Sequence, residues 1–137
     1  MKKGREHPMK FILILLTALL LGGCAAQPTS PSDKAAYRQI SMEEAVTMMA
    51  QESDYIILDV RRADEFASGH IPGAINVANE SIGTAEIPEL PDKNQLILVY
   101  CRSGNRSKQA SQKLADLGYT NIVEFGGIID WPGDIEK

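Results

Sequence analysis

From residue 37 onward the chain alternates between short apolar runs and segments whose apolar positions recur at helical spacing. Ser41 with Glu44 three residues on is a capping-box pattern, and Ala45, Val46 and Met49 then form one face of a predicted helix. Tyr55 to Val60 is apolar apart from Asp59, as expected of a strand buried on both faces of a parallel sheet. Ala63 to Ser68 reads as a short helix stopped by Gly69, and Ala74 to Val77 as a second strand. Between Asn79 and Asn94, Pro88 and Pro91 break any long element, which leaves room for a helical turn or two. Leu96 to Tyr100 is a third strand, and Ser107 to Leu117 is a helix with Ala110, Leu114 and Leu117 on one face and Gly118 beyond its end. Asn121 to Phe125 is a fourth strand, and Gly126-Gly127 opens a final loop that ends at Trp131-Pro132. Strands alternating with helices predict an α/β fold: a parallel sheet covered on both faces, with its site at the C-terminal ends of the strands. No internal repeat is present.

The first 36 residues follow a different pattern. Met1 to Lys10 carries Lys2, Lys3, Arg5 and Lys10, and Phe11 to Leu21 is almost wholly apolar. That run is shorter than the ~20 residues of a membrane span. A basic start, a short apolar core and a small-residue exit read as a secretory signal. The exit, Leu21-Gly22-Gly23-Cys24, resembles a bacterial lipobox, whose cysteine is lipidated and becomes the mature N-terminus. Residues 1–23 are therefore read as a lipoprotein signal peptide, with Met9 as an alternative start. Residues 24–36, small, polar and proline-containing, are read as a flexible tether, and 37–137 as the folded domain. The expected location is the extracytoplasmic face of a bacterial cell membrane, held there by the lipid on Cys24.

Charge narrows the partners. The whole chain has a formal charge of −4, but residues 1–23 hold four of its 14 basic side chains and one of its 18 acidic ones. The mature chain keeps 10 basic and 17 acidic groups, a formal charge of −7. Such a chain is repelled by nucleic acid and by anionic headgroups, so attachment to the membrane falls to the acyl chains. The length suits one domain, and two cysteines make no disulfide framework.

The candidate chemistry lies in Val99-Tyr100-Cys101-Arg102-Ser103-Gly104-Asn105-Arg106-Ser107. A cysteine between a strand and a helix faces unpaired backbone N–H groups and the positive end of the helix dipole. Such a setting lowers a thiol's pKa from about 8.5 into roughly 3.5–7.5, so the thiolate nucleophile is present at neutral pH. Gly104 lets the loop turn, and Arg102 and Arg106 add positive charge for an anionic substrate. The polar, basic surroundings argue against an inert core thiol, and the reading requires a sulfur open to solvent.

At these residues the chain resembles the rhodanese (thiosulfate sulfurtransferase) family, whose active-site loop starts with Cys and runs for six residues, here Cys101 to Arg106. Leu58-Asp59-Val60-Arg61, Glu65-Phe66, Gly69-His70-Ile71-Pro72-Gly73-Ala74-Ile75-Asn76, Gly118-Tyr119 and Gly126-Gly127-Ile128 with Trp131 resemble the family's other signatures, in order. The resemblance covers Tyr37 to Lys137. It implies a parallel five-stranded sheet flanked by helices on both faces. It also implies a sulfurtransferase in which Cys101 takes sulfane sulfur from a donor such as thiosulfate, becomes a persulfide, and passes the sulfur to cyanide or a thiol. Arg102, Ser103, Gly104, Asn105, Arg106 and Ser107 would bind substrate or persulfide. Thiosulfate-type loops carry Arg after the Cys, as here, whereas mercaptopyruvate-type loops carry Gly; vertebrate-type loops have Lys where this chain has Ser103.

Other residues have competing readings. Arg106 either contacts substrate or braces the loop through an acidic partner such as Asp59. Asp59 and Arg61 read as an architectural pair, with Glu65 a third member. His70 reads as structural rather than as a base, and Trp131 as core or pocket wall. No metal and no organic cofactor is called for, and the domain is expected to be a monomer. Two rival functions stay in view. One is a cell-surface persulfide carrier or interaction module with little turnover of free thiosulfate. The other is a phosphatase or arsenate reductase, disfavoured because those loops read Cys-x5-Arg while Cys101 and Arg106 enclose four residues.

Overall fold

The computed structural model describes residues 36–83 and 85–137, so the signal-peptide reading and most of the tether reading, Cys24 included, lie outside the described residues. The chain runs β1 (Arg38–Gln39), α1 (Met42–Gln51), β2 (Tyr55–Asp59), α2 (Ala63–Ser68), β3 (Ile75–Asn76), a 3-10 turn (Asn79–Ser81), β4 (Leu96–Cys101), α3 (Asn105–Asp116), β5 (Ile122–Gly127) and a second 3-10 turn (Ile128–Asp130). All five strands pair in parallel, in the order β1-β5-β4-β2-β3. The unbroken apolar run Leu96 to Tyr100 is thus the central strand, hydrogen-bonded on both edges and covered on both faces.

Alternation along β4 sorts the core into two layers. Ile97, Val99 and Cys101 point towards α3, where Ala110 and Leu114 meet Ile82, Ile87 and Leu90. Leu98 and Tyr100 point the other way, onto Ala45 of α1 with Met42, Met48, Met49 and Phe66 packed around them. Burying a side chain such as Leu114 is worth about 1.5–3 kcal/mol, so these layers hold the helices against the sheet. The capping box forms as its spacing predicts: the Ser41 N–H donates to Glu44 at 2.7 Å and the Glu44 N–H to the Ser41 hydroxyl at 3.1 Å.

Three differences from the sequence reading go beyond a single residue. The fifth strand, β1, is a two-residue edge strand, too short to show periodicity; β5 recruits it by backbone pairing of Arg38 with Val123 and Gln39 with Glu124. Helix α3 starts at Asn105, two residues earlier than its apolar face indicates, because Gly104 at φ +105° ends the loop there. Gly126 and Gly127 belong to β5 rather than to a loop. The β4–β5 register slips between them, Val99 opposite Glu124 but Cys101 opposite Gly127. No helix among the described residues is long and apolar enough to cross a membrane.

Candidate active site

Cys101 ends β4 and the loop 102–104 carries the chain straight into α3, so the sulfur lies beneath the helix N-terminus. The Gly104 N–H points at Sγ from 3.0 Å. Ser107, in the first turn of α3, brings its hydroxyl to 3.5 Å from the sulfur. Burial works against ionising this thiol. The Ser107 hydroxyl and the backbone N–H groups of Ser107, Gly104 and Ser103 outweigh it, and together they hold the thiol below its ordinary range.

The sequence reading requires a sulfur open to solvent, and the structure corrects it. Cys101 is 1% exposed, so it sits at the floor of the loop and not at an open rim. The side chains of Arg102, Ser103 and Asn105 stand outside it, exposed. The loop is held down from behind: the Arg102 carbonyl accepts from the Ile129 N–H at 3.3 Å, and the backbone there passes so close to Gly127 that a Cβ would overlap the Arg102 carbonyl. Gly127 is a requirement of close approach.

The two arginines part company. The Arg102 guanidinium is exposed and makes no hydrogen bond or ion pair among the described residues. Arg106 faces α2, where Nη1 and Nη2 donate to the two carboxylate oxygens of Glu65 at 2.7 and 3.0 Å. Arg106 holds the Glu65 carboxyl down to about 2, its two hydrogen bonds outweighing partial burial. The bracing partner of Arg106 is therefore Glu65, not Asp59. Asp59 is engaged elsewhere: Arg61 grips it through Nη2 at 2.7 Å and Nε at 3.0 Å, and the same Nη2 donates to the Gly69 carbonyl at 2.7 Å. Glu65 is accordingly no third member of that pair. Its capping hydrogen bond to the Arg62 N–H at 3.1 Å fixes the start of α2 as well.

His70 and Trp131 both have structural employment. The His70 ring stacks on Phe66 at 3.7 Å with Nδ1 2.9 Å from the Phe66 carbonyl. The Trp131 ring packs against the layer of Tyr100 and Phe125, while Cys101 belongs to the other layer; its N–H donates to the Asp134 carbonyl at 3.0 Å.

Sequence reasoning passed over Glu124. It lies on β5, 2% exposed, and its Oε1 accepts from the Ser107 hydroxyl at 2.6 Å and from the Gly126 N–H at 2.9 Å. A carboxylate between Val123 and Phe125, on the inward face of an apolar strand, was the available signal. The assembly is a thiol under a crown of N–H donors, backed by a hydroxyl and a buried acid, with the exposed Arg102 guanidinium at its edge. It can stabilise a sulfur anion and receive an anionic donor.

Comparison with known proteins places this geometry. The Rhodanese-like domain profile matches residues 41–132. Thiosulfate sulfurtransferase PspE of Escherichia coli strain K12 is 36% identical over 73 residues, covering 53% of this chain and 70% of that protein. Adenylyltransferase and sulfurtransferase UBA4 of Meyerozyma guilliermondii is 34% identical over 95 residues, 64% of this chain; the match spans only 22% of that longer protein. Among solved structures, a rhodanese with anions from E. coli superposes with a TM-score of 0.56 at 32% identity, over 61% of this chain and 98% of that one.

Proposed function

The chain belongs to the rhodanese-like domain family, and from that membership we propose that it is a sulfurtransferase whose Cys101 carries sulfane sulfur as a persulfide. The observation that carries this reading is the Gly104 N–H at 3.0 Å from a sulfur at the N-terminus of α3. The Cys101 thiolate attacks the outer sulfur of thiosulfate. The bond between that sulfur and the sulfonate sulfur breaks, sulfite leaves with the electron pair, and an anionic persulfide remains on the enzyme. Loop N–H groups from Arg102 to Ser107 stabilise the terminal sulfur, and preorganised donors of this kind are worth about 10²–10³ in rate each. Cyanide or a thiol then attacks that outer sulfur, and Cys101 leaves as the restored thiolate, a ping-pong scheme. Arg102, free at the loop's edge, attracts the anionic donor, whereas Arg106 works mainly by bracing. Cys101 is the free cysteine among the described residues, and with Cys24 lipidated no second thiol resolves the persulfide, so the acceptor is external.

The domain in this reading is a monomer tethered by the Cys24 lipid to the outer face of a bacterial membrane, with neither nucleic acid nor cofactor as partner. Intact-mass spectrometry before and after thiosulfate tests the core of it. One added sulfur in the wild type and none in Cys101→Ser is the expected result. A mass unchanged by thiosulfate in the wild type, or sulfur retained by the variant, overturns it. If sulfur loads from thiosulfate but leaves only to a protein thiol and not to cyanide, the carrier function is the one in use.

A further inference from the structure

The Ser107 hydroxyl is surrounded by more acceptors than it has protons. Its Oγ lies 2.6 Å from Glu124 Oε1, 2.9 Å from the Gly104 carbonyl, 3.3 Å from the Gly126 carbonyl and 3.5 Å from Cys101 Sγ. Two of the three oxygens are carbonyls and only accept. With one proton to give, the hydroxyl donates along its shortest contact, to Glu124, and offers the sulfur a lone pair. The chain then runs in one direction: thiol to hydroxyl, hydroxyl to carboxylate. A thiolate reverses it. The hydroxyl must donate to the sulfur, and the short contact to Oε1 then needs a proton on the acid.

We propose that Glu124 is a positioning residue that takes up the Cys101 proton through Ser107, so that the thiolate forms in the buried site without a change in net charge. The S–H bond breaks and its proton goes to Ser107 Oγ, while the Ser107 proton goes to Glu124 Oε1. Sulfur keeps the electron pair, the acid becomes neutral, and the reverse transfer restores the thiol. Enclosure of both ends makes a local proton store useful, since Cys101 is 1% and Glu124 2% exposed. The alternative is two buried anions joined through one hydroxyl, which low polarity penalises.

Of the charged groups near the pair, Arg106 acts on Cys101 through space, its positive charge favouring the thiolate. Arg106 on α3 is engaged by Glu65 on α2. Arg102 on the loop is exposed. Beside Glu124 on the adjoining edge, Gln39 of β1 donates to the Tyr37 hydroxyl at 3.2 Å. Among the described residues the Glu124 carboxylate accepts from the Ser107 hydroxyl and the Gly126 N–H and forms no ion pair. The inference rests on Cys101 as the sulfur-carrying nucleophile.

Alkylation of Cys101 by iodoacetamide in the full chain, followed on the Cys101 peptide by mass spectrometry, reads the thiolate directly. The wild-type rate should rise with pH in two steps, because the two groups share a proton. In Glu124→Gln the two steps should merge into one. Infrared difference spectra of the wild type need no variant: the carbonyl band of a protonated carboxylic acid should be lost when Cys101 is alkylated. A single-step wild-type profile left unchanged in Glu124→Gln, or no loss of that band, overturns the proposal. Sulfur loading from thiosulfate is read separately. Loading without the band change removes the proton role alone, and the band change without loading removes the sulfur chemistry alone.

Discussion

Arg106 and Glu65 are 41 residues apart in the chain and meet through two parallel hydrogen bonds, of 2.7 and 3.0 Å, that tie the first turn of α3 to α2. A guanidinium committed in this way is part of the frame around the sulfur, whereas the Arg102 guanidinium stands exposed.

Removing the brace should therefore act on stability and on all substrates alike. Arg106→Ala is expected to lower unfolding free energy by about 1–2 kcal/mol, since the pair is partly buried and charge-assisted. Arg106→Lys should recover only part, because a lysine cannot make the fork. The acid limit follows from Glu65, whose carboxyl is depressed from 4.5 to about 2 in the folded protein. A depressed carboxyl stabilises above its unfolded pKa, so this contribution is whole above pH 4.5 and is lost as pH falls towards 2. Thermal unfolding of wild type and Glu65→Gln across that window should converge at the acid end.

Arg102→Ala should separate the half-reactions. Its effect belongs on KM for thiosulfate, raised about tenfold for the loss of one exposed charge-assisted contact worth ~1.4 kcal/mol. Discharge of the preformed persulfide to cyanide should change little. Equal losses in both halves, measured by stopped-flow or quenched mass spectrometry, would count against donor recruitment.

Gly127→Ala tests the close approach of loop and strand. The added methyl meets the Arg102 carbonyl, so the loop must lift from β5 and the Gly104 N–H must leave its place over the sulfur. Misplacement by about 1 Å costs roughly 10²-fold in rate. Sulfur loading should fall by that order while circular dichroism shows the sheet intact; wild-type loading would mean the loop tolerates the shift.

Cys24→Ala, in cells, should move the protein from the membrane fraction to the soluble one and leave the activity of the folded domain unchanged. Retention at the membrane would mean that something other than the Cys24 lipid holds it.

The elements that neighbouring residues encode were legible in the sequence. Ser41 and Glu44 cap α1 across three positions, the run Leu96 to Tyr100 declares the central strand, and Cys101 before Gly104 marks a turn into a helix. Each depends on side-chain spacing or backbone freedom within one turn or one strand, and such interactions survive in a one-dimensional reading. The sheet order and a slipped register decided the rest. They laid β1 beside β5, gave Arg106 the carboxylate of Glu65 where Asp59 had been the candidate, set Glu124 against Ser107, and sank Cys101 to the floor of its loop. None of these is a property of spacing, because which distant charges share a buried site depends on which strands are neighbours and which face each residue takes.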